Sequence, residues 1–232
     1  MTNGFEKIFS QYEVLAGAAD SIFKKVKTEF PREMVCKTGC SDCCHALFDV
    51  TLVEALYLNH HFNRCFIGEE KTALLEKANR ADRTVYKIKR DARKRLEKGH
   101  VEEDLLVSLA AERVRCPLLN SRNQCGLYEN RPITCRLYGV PSEIGGVTHS
   151  CGQSGFIKGK SYPTVHMTKM NQQLFALAAA LVSEIESKYV QLSGLVMPVS
   201  AALLTDFDDA FLGIGEAAAA DDDGKITRPD NE

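Results

Sequence analysis

Nine cysteines stand in a chain of 232 residues that has no tryptophan. Eight of them fall into two groups. Cys36, Cys40, Cys43 and Cys44 follow the pattern C-x3-C-x2-C-C. Offsets of four and seven bring Cys36, Cys40 and Cys43 to one side of a helical or turn-like backbone. That convergence suits metal binding, because each thiolate must point at a common centre about 2.3 Å away for zinc. Gly39, just before Cys40, permits the left-handed conformation that such loops require. Consecutive side chains diverge, so Cys43 and Cys44 are not expected to serve one ion in the same way. The second group is Cys116, Cys125, Cys135 and Cys151, each beside turn chemistry: Cys116-Pro117, Cys125-Gly126, Cys135 after Arg131-Pro132, and Cys151-Gly152. Cys65 stands apart in an apolar helical stretch and reads as a small buried hydrophobe.

Sulfur-only donor sets suit zinc or iron–sulfur clusters. His45 and His149 flank cysteines, which keeps a Cys3His site open beside a role as polar loop residues. Lys37, Arg115, Arg131 and Arg136 lie near the candidate ligands and are placed to donate N–H groups to sulfur. For Arg131 and Arg136 the competing role is a surface salt bridge. Tyr128 and Tyr138 read as packing residues. Burial for packing alone does not account for four cysteines within nine positions. A redox pair at Cys40-x2-Cys43 would need a βαβ setting that the surroundings lack. The C-x3-C-x2-C spacing is also that of radical S-adenosylmethionine enzymes. Those need a long βα series, and Asp42 stands where they commonly carry an aromatic residue.

The elements that must position these thiols are mainly helical. Apolar residues recur at helical spacing from Phe5 to Val26, which predicts an amphipathic helix over 5–27 that ends near Pro31. A second helix runs from about Thr51 to Phe66, with Thr51 and Glu54 as a capping box and Gly68 as its end. Residues 69–98 form a long charged helix with a buried stripe through Leu74, Ala78, Ala81, Val85, Ile88, Ala92 and Leu96. Eleven basic against six acidic residues leave this span at +5. Arg83, Lys87, Arg90 and Lys94 share one face, expected to be solvated, with nucleic acid or an acidic protein partner as the other uses of it. From Cys116 to Gly159, Pro and Gly punctuate short segments and helical periodicity is lost. A metal would order such a segment directly, since structural zinc contributes roughly 10–16 kcal/mol in small domains. Helix resumes from Thr164 to Tyr189, with a short helix after Pro198 within 195–211. The expected fold is mainly α: one domain over 1–215 with a loop-rich, metal-stabilised cysteine core at 36–151.

Residues 216–232, with six acidic and two basic side chains, read as a disordered acidic tail. The net charge of −2 and a charged fraction of 26% argue against a protein that grips nucleic acid or a membrane through its overall field. The longest apolar run, Leu174 to Val182, is far short of the roughly 18 residues of a membrane span. The N-terminus has no secretory pattern, and unpaired clustered cysteines suit a reducing compartment. The expected location is therefore cytoplasmic.

The ordered blocks Cys36-x3-Cys40-x2-Cys43-Cys44, Cys116-Pro117-Leu118-Leu119 and Cys125-Gly126-Leu127-Tyr128-Glu129-Asn130-Arg131-Pro132-Ile133-Thr134-Cys135-Arg136 resemble the YkgJ-type cysteine-cluster family, also labelled CxxCxxCC. The resemblance spans about 36–151, half of the chain. One departure is the first gap, with three residues in place of two. Members of that family are expected to chelate zinc or iron, so the resemblance implies metal binding with the metal left open. The implied ligands are Cys36, Cys40, Cys43, Cys44, Cys116, Cys125, Cys135 and Cys151, with Arg131 and Arg136 behind them. Flagellin lysine N-methylases are similar in carrying such a cluster, and there an iron–sulfur group is implicated. The expected function is thus a metal-binding protein holding an iron–sulfur cluster or zinc, either as one cluster with spare thiols or as two separate ions. The alternatives are an iron–sulfur-dependent protein-modifying enzyme and a non-enzymatic adaptor with structural zinc that uses the basic helix. No general base, nucleophile or phosphate-cradling loop is identifiable, so whether the chain is an enzyme stays open.

Overall fold

The computed structural model describes residues 5–215, apart from Gly145 and the Glu103 side chain. The tail expected over 216–232 lies outside the described residues. The fold is mainly α, with eight α-helices and two small sheets among the described residues. None of the described helices is long and apolar enough to cross a membrane.

Helix α1 (Glu6–Glu29) buries Ile8, Tyr12, Ala16, Ala19 and Val26, the helical stripe that its sequence predicts. Helix α2 (Leu52–Cys65) is the central element, with every residue from Leu52 to Leu58 buried. One side of it, with Leu52, Val53, Leu56 and Tyr57, packs on α1 and on the later helix α6 (Met167–Glu184). The opposite side, with Ala55, Leu58, Phe62 and Phe66, packs on α3 (Gly68–Glu97) and α7 (Val199–Leu204). A helix buried on both sides needs every N-terminal backbone donor satisfied. The predicted capping box of Thr51 and Glu54 is present.

Gly68 opens α3 and does not close α2. The chain leaves α2 at Cys65 and passes through extended Phe66 and Ile67. It then reverses at Gly68, whose φ of +55° is easy only for glycine. Helix α3 presents Arg83, Lys87, Arg90 and Lys94 as exposed side chains. The sequence gives no sign of α4 (Glu102–Ala111), which lies against α3 with Leu105 buried while Leu106 and Val107 are exposed. Adjacent apolar residues give no helical stripe, so periodicity has nothing to register.

The segment read as turns contains one short helix, α5 (Ile133–Leu137), and a hairpin of β2 (Ser142–Ile144) with β3 (Val147–His149). Strand β4 (Val165–His166) joins β2 in parallel. The other sheet pairs β1 (Asp49–Thr51) with β5 (Val196–Pro198). The C-terminal helical region comprises α7 and α8 (Asp209–Leu212), the latter capped by the Asp208 side chain. A five-residue helix such as α5 has no stability of its own. Glu54 anchors it: its Oε1 accepts from the Ile133 N–H at 2.9 Å, while Oε2 accepts from Thr51 N–H and Oγ at 3.0 Å each.

Candidate metal centre

The first cysteine group lies on the loop that follows α1 and on a 3-10 turn, Asp42–His45. Cys40 N–H donates to Lys37 O at 2.9 Å, closing a turn in which Gly39 has φ +87°. The left-handed glycine expected there is present. Cys44 N–H donates to Ser41 O at 2.9 Å. This tight winding keeps the adjacent side chains from diverging: the Cys43 and Cys44 sulfurs lie 4.0 Å apart. Two thiolates on one tetrahedral zinc, each about 2.3 Å from the ion, are about 3.8 Å apart, a similar spacing.

Backbone pairing carries the second group to the first. Cys116 N–H donates to Cys44 O at 2.7 Å and Val114 N–H to His45 O at 2.9 Å. Beyond Cys116 the chain doubles back through Asn120–Gln124, and a bridge between Leu119 and Cys125 returns the Cys125 sulfur. Arg115 holds this bend by donating to Leu119 O and Asn120 O. Cys135 sits in α5, so the anchor at Glu54 also places this thiol. Cys151 begins a turn whose Gly155 N–H donates to Glu33 O at 2.8 Å, which ties it to the loop before Cys36.

All eight predicted cysteines line one cavity of about 530 Å³. They ring it; among the described residues no three Cys, His, Asp or Glu donors already converge on a common point. Cys65 lies elsewhere and is exposed, which overturns its reading as a buried residue. Phe62 and Phe66 take the core positions at that end of α2. His45 directs Nδ1 to Ser41 O at 2.9 Å, and His149 is exposed on β3.

The electrostatics fit a cation. Cys43 is drawn down to about 7, first by the hydrogen bond from Cys44 and also by the Arg131 charge. Cys44, holding the shared proton, is pushed up by that bond and by burial. Burial pushes Cys116 up to about 12, and it also raises Cys125 and Cys135, with Arg131 as the cation opposing it. Each of these three is raised further by charge on neighbouring cysteines. A ring of buried thiols that resist joint ionisation accepts several thiolates only when a metal neutralises them.

Arg131 lines the cavity with its guanidinium 3.6 Å over the Tyr128 ring. Arg136 is placed differently from expectation. It is buried and donates to Asp20 Oδ2, Arg131 O and Glu129 O. It acts on oxygens, joining α1 to the segment before α5, and not on sulfur. Tyr138 is also more than packing, since its hydroxyl donates to Asp42 Oδ2 at 2.7 Å and accepts from Arg113 at 3.3 Å. Burial raises the Asp42 carboxyl, but hydrogen bonds from Tyr138 and Cys151 and the charge of Arg113 outweigh it and hold the group below the usual carboxylate range. Sequence reading passed over Asp42, Arg113 and Tyr138 as site residues. The available signal was an acidic side chain set between Cys40 and Cys43.

Neither a curated protein nor a solved structure matches the chain. The profile of one family, CxxCxxCC, "Putative zinc- or iron-chelating domain", matches residues 35–152. That stretch is just over half of the chain, begins one residue before Cys36 and ends one residue after Cys151, so it takes in all eight cysteines that line the cavity. The chain belongs to the CxxCxxCC family.

Proposed function

We propose that the protein is a metal-binding module whose clustered thiols hold an iron–sulfur cluster. The observation that carries this reading is that eight cysteines line one cavity. A single tetrahedral zinc takes four ligands, so a sulfur-only set of this size suits a polynuclear centre. Cys43, Cys44, Cys116, Cys125 and Cys135 form the inner candidates, linked by the Cys44–Cys116 backbone bond and by the charges they exert on one another. Cys36, Cys40 and Cys151 stand on the outer loops. Such a cluster supplies one-electron chemistry when bound. The chain's own part is to supply thiolates, to exclude water with Leu118, Leu127 and Pro132, and to place the Arg131 charge against the sulfurs.

Anaerobic purification followed by an absorption spectrum, iron and labile-sulfide analysis on one sample tests the reading. Broad absorption near roughly 400 nm with iron and sulfide supports it. A colourless protein with stoichiometric zinc overturns it in favour of a second reading, a structural zinc site, which rests on the 4.0 Å spacing of the Cys43 and Cys44 sulfurs. An adaptor role for the basic helix would accompany the zinc reading. Arg83, Lys87, Arg90 and Lys94 are exposed for it, and reversing their charge would abolish capture of an acidic partner.

A further inference from the structure

Four stretches of chain bring the cysteines to the cavity: the loop with Cys36–Cys44, the hairpin with Cys116 and Cys125, helix α5 with Cys135, and the turn at Cys151. One side chain touches partners from all the others. Asp42 Oδ2 accepts from the Tyr138 hydroxyl at 2.7 Å, three residues beyond Cys135. The same oxygen accepts from the Cys151 thiol at 3.3 Å. Its Oδ1 faces the Arg113 guanidinium at 3.6 Å, three residues before Cys116. Arg113 in turn donates to the Tyr138 hydroxyl at 3.3 Å, which closes a ring of three. The carboxylate is largely enclosed, with its side chain 20% exposed. Both of its oxygens are engaged by protein donors.

We infer that Asp42 is the positioning residue of the metal centre: it is not a ligand, and it holds the four cysteine-bearing segments in register through Tyr138, Arg113 and Cys151. The inference rests on the metal-binding reading above. Cys151 is a candidate ligand in direct contact with this carboxylate, so Asp42 is placed to orient its sulfur as well as the segments that carry the others.

The test compares full-length wild type, Asp42→Asn and Tyr138→Phe, each purified anaerobically. The readouts are bound iron and zinc, the competing chelator concentration that removes half of the metal, and the melting temperature of the metal-stripped chain. Partners one bond removed from a metal ligand commonly contribute about 10–100-fold to metal affinity, and Asp42→Asn is expected to lose affinity within that range. Tyr138→Phe should lose less, because Arg113 and Cys151 still reach the carboxylate. The stripped Asp42→Asn and Tyr138→Phe chains should melt with the stripped wild type, which separates positioning from general stability. Wild-type metal affinity in Asp42→Asn overturns the inference. A shared fall in the melting temperature of the stripped variants would also overturn it. Wild-type protein that binds neither iron nor zinc would instead overturn the metal-binding reading, and the inference with it.

Discussion

The helical body and the cysteine-bearing segments are held together by different physics. Around α2 the contacts are apolar and dense: Phe62, Leu58, Tyr12 and Ile8 are all within 1% of full burial. The loops at 34–48 and 113–155 instead carry short backbone ladders and eight thiols around a cavity, and enter the cores through Met34, Leu118, Leu127, Ile133, Leu137 and Val140. Burying a large aliphatic or aromatic side chain contributes roughly 1.5–3 kcal/mol, so the helical body has a core of its own. Around the cavity the loops have thiols in place of such packing. We therefore expect a metal in the cavity to add more to the order of the loops than to that of the helical body.

Removing the metal should break this contrast open, and it carries the largest expected effect. Structural metal supplies roughly 10–16 kcal/mol in small zinc domains, more than any single side chain here. In hydrogen exchange, stripping should expose amides of 36–48 and 113–152 while those of α1, α2 and α6 keep their protection. Equal loss of protection across both regions would mean that the scaffold depends on the metal as well. The converse comes from Phe62→Ala, which should cost about 3–5 kcal/mol as a fully buried aromatic is deleted. Denaturant titration should give the same loss in loaded and stripped protein, with the metal content unchanged.

Between the two regions stands Glu54. Its removal in Glu54→Ala leaves the Ile133 and Thr51 N–H groups buried without their acceptor. Each unpaired buried donor costs roughly 1–3 kcal/mol. Stability should fall by about 2–4 kcal/mol, and the metal should also bind more weakly, because Cys135 rides on the helix that Ile133 begins. A loss of stability with unchanged metal affinity would show that α5 does not depend on this anchor.

The local half of that joint is legible in the sequence, and the distant half is not. Thr51 and Glu54 are three residues apart and announce a helix start. The reach of Glu54 to Ile133 spans 79 positions and leaves no local pattern. The same division runs through the site. Which cysteines come together is legible from spacing and from turn residues such as Gly39, and all eight line the cavity. Their relation to one another is not, because it depends on a 3-10 turn that swings Cys44 toward Cys43 and on backbone pairing with Cys116. Cys65 was misjudged because an apolar helix does not reveal which of its sides meets the core. Helix α4 escaped notice because it buries only Leu105 among its apolar residues with described side chains.

The smallest effect expected is a pH dependence confined to the scaffold. His60 and His61 sit at the end of α2, against Phe9 and Tyr57, with Arg64 one turn on and Glu13 opposite. Burial comes first in lowering both imidazoles. The Arg64 charge adds to it at His60, and His60 itself adds to it at His61, where Glu13 opposes. A histidine whose folded-state value lies below the unfolded one of about 6.5 binds protons more readily when unfolded. Its contribution to stability is complete above that value and is lost as pH falls through the folded one. Metal-stripped protein should therefore lose a little stability as pH falls below about 6.5, and His60→Gln with His61→Gln should flatten that slope. Acid also reprotonates thiolates and releases metal, so loaded protein should show a second, steeper loss that the histidine variants leave untouched. If the double variant removed the acid loss of the loaded protein as well, the two regions would not be separable by pH, and the scaffold and the centre would have to be treated as one cooperative unit.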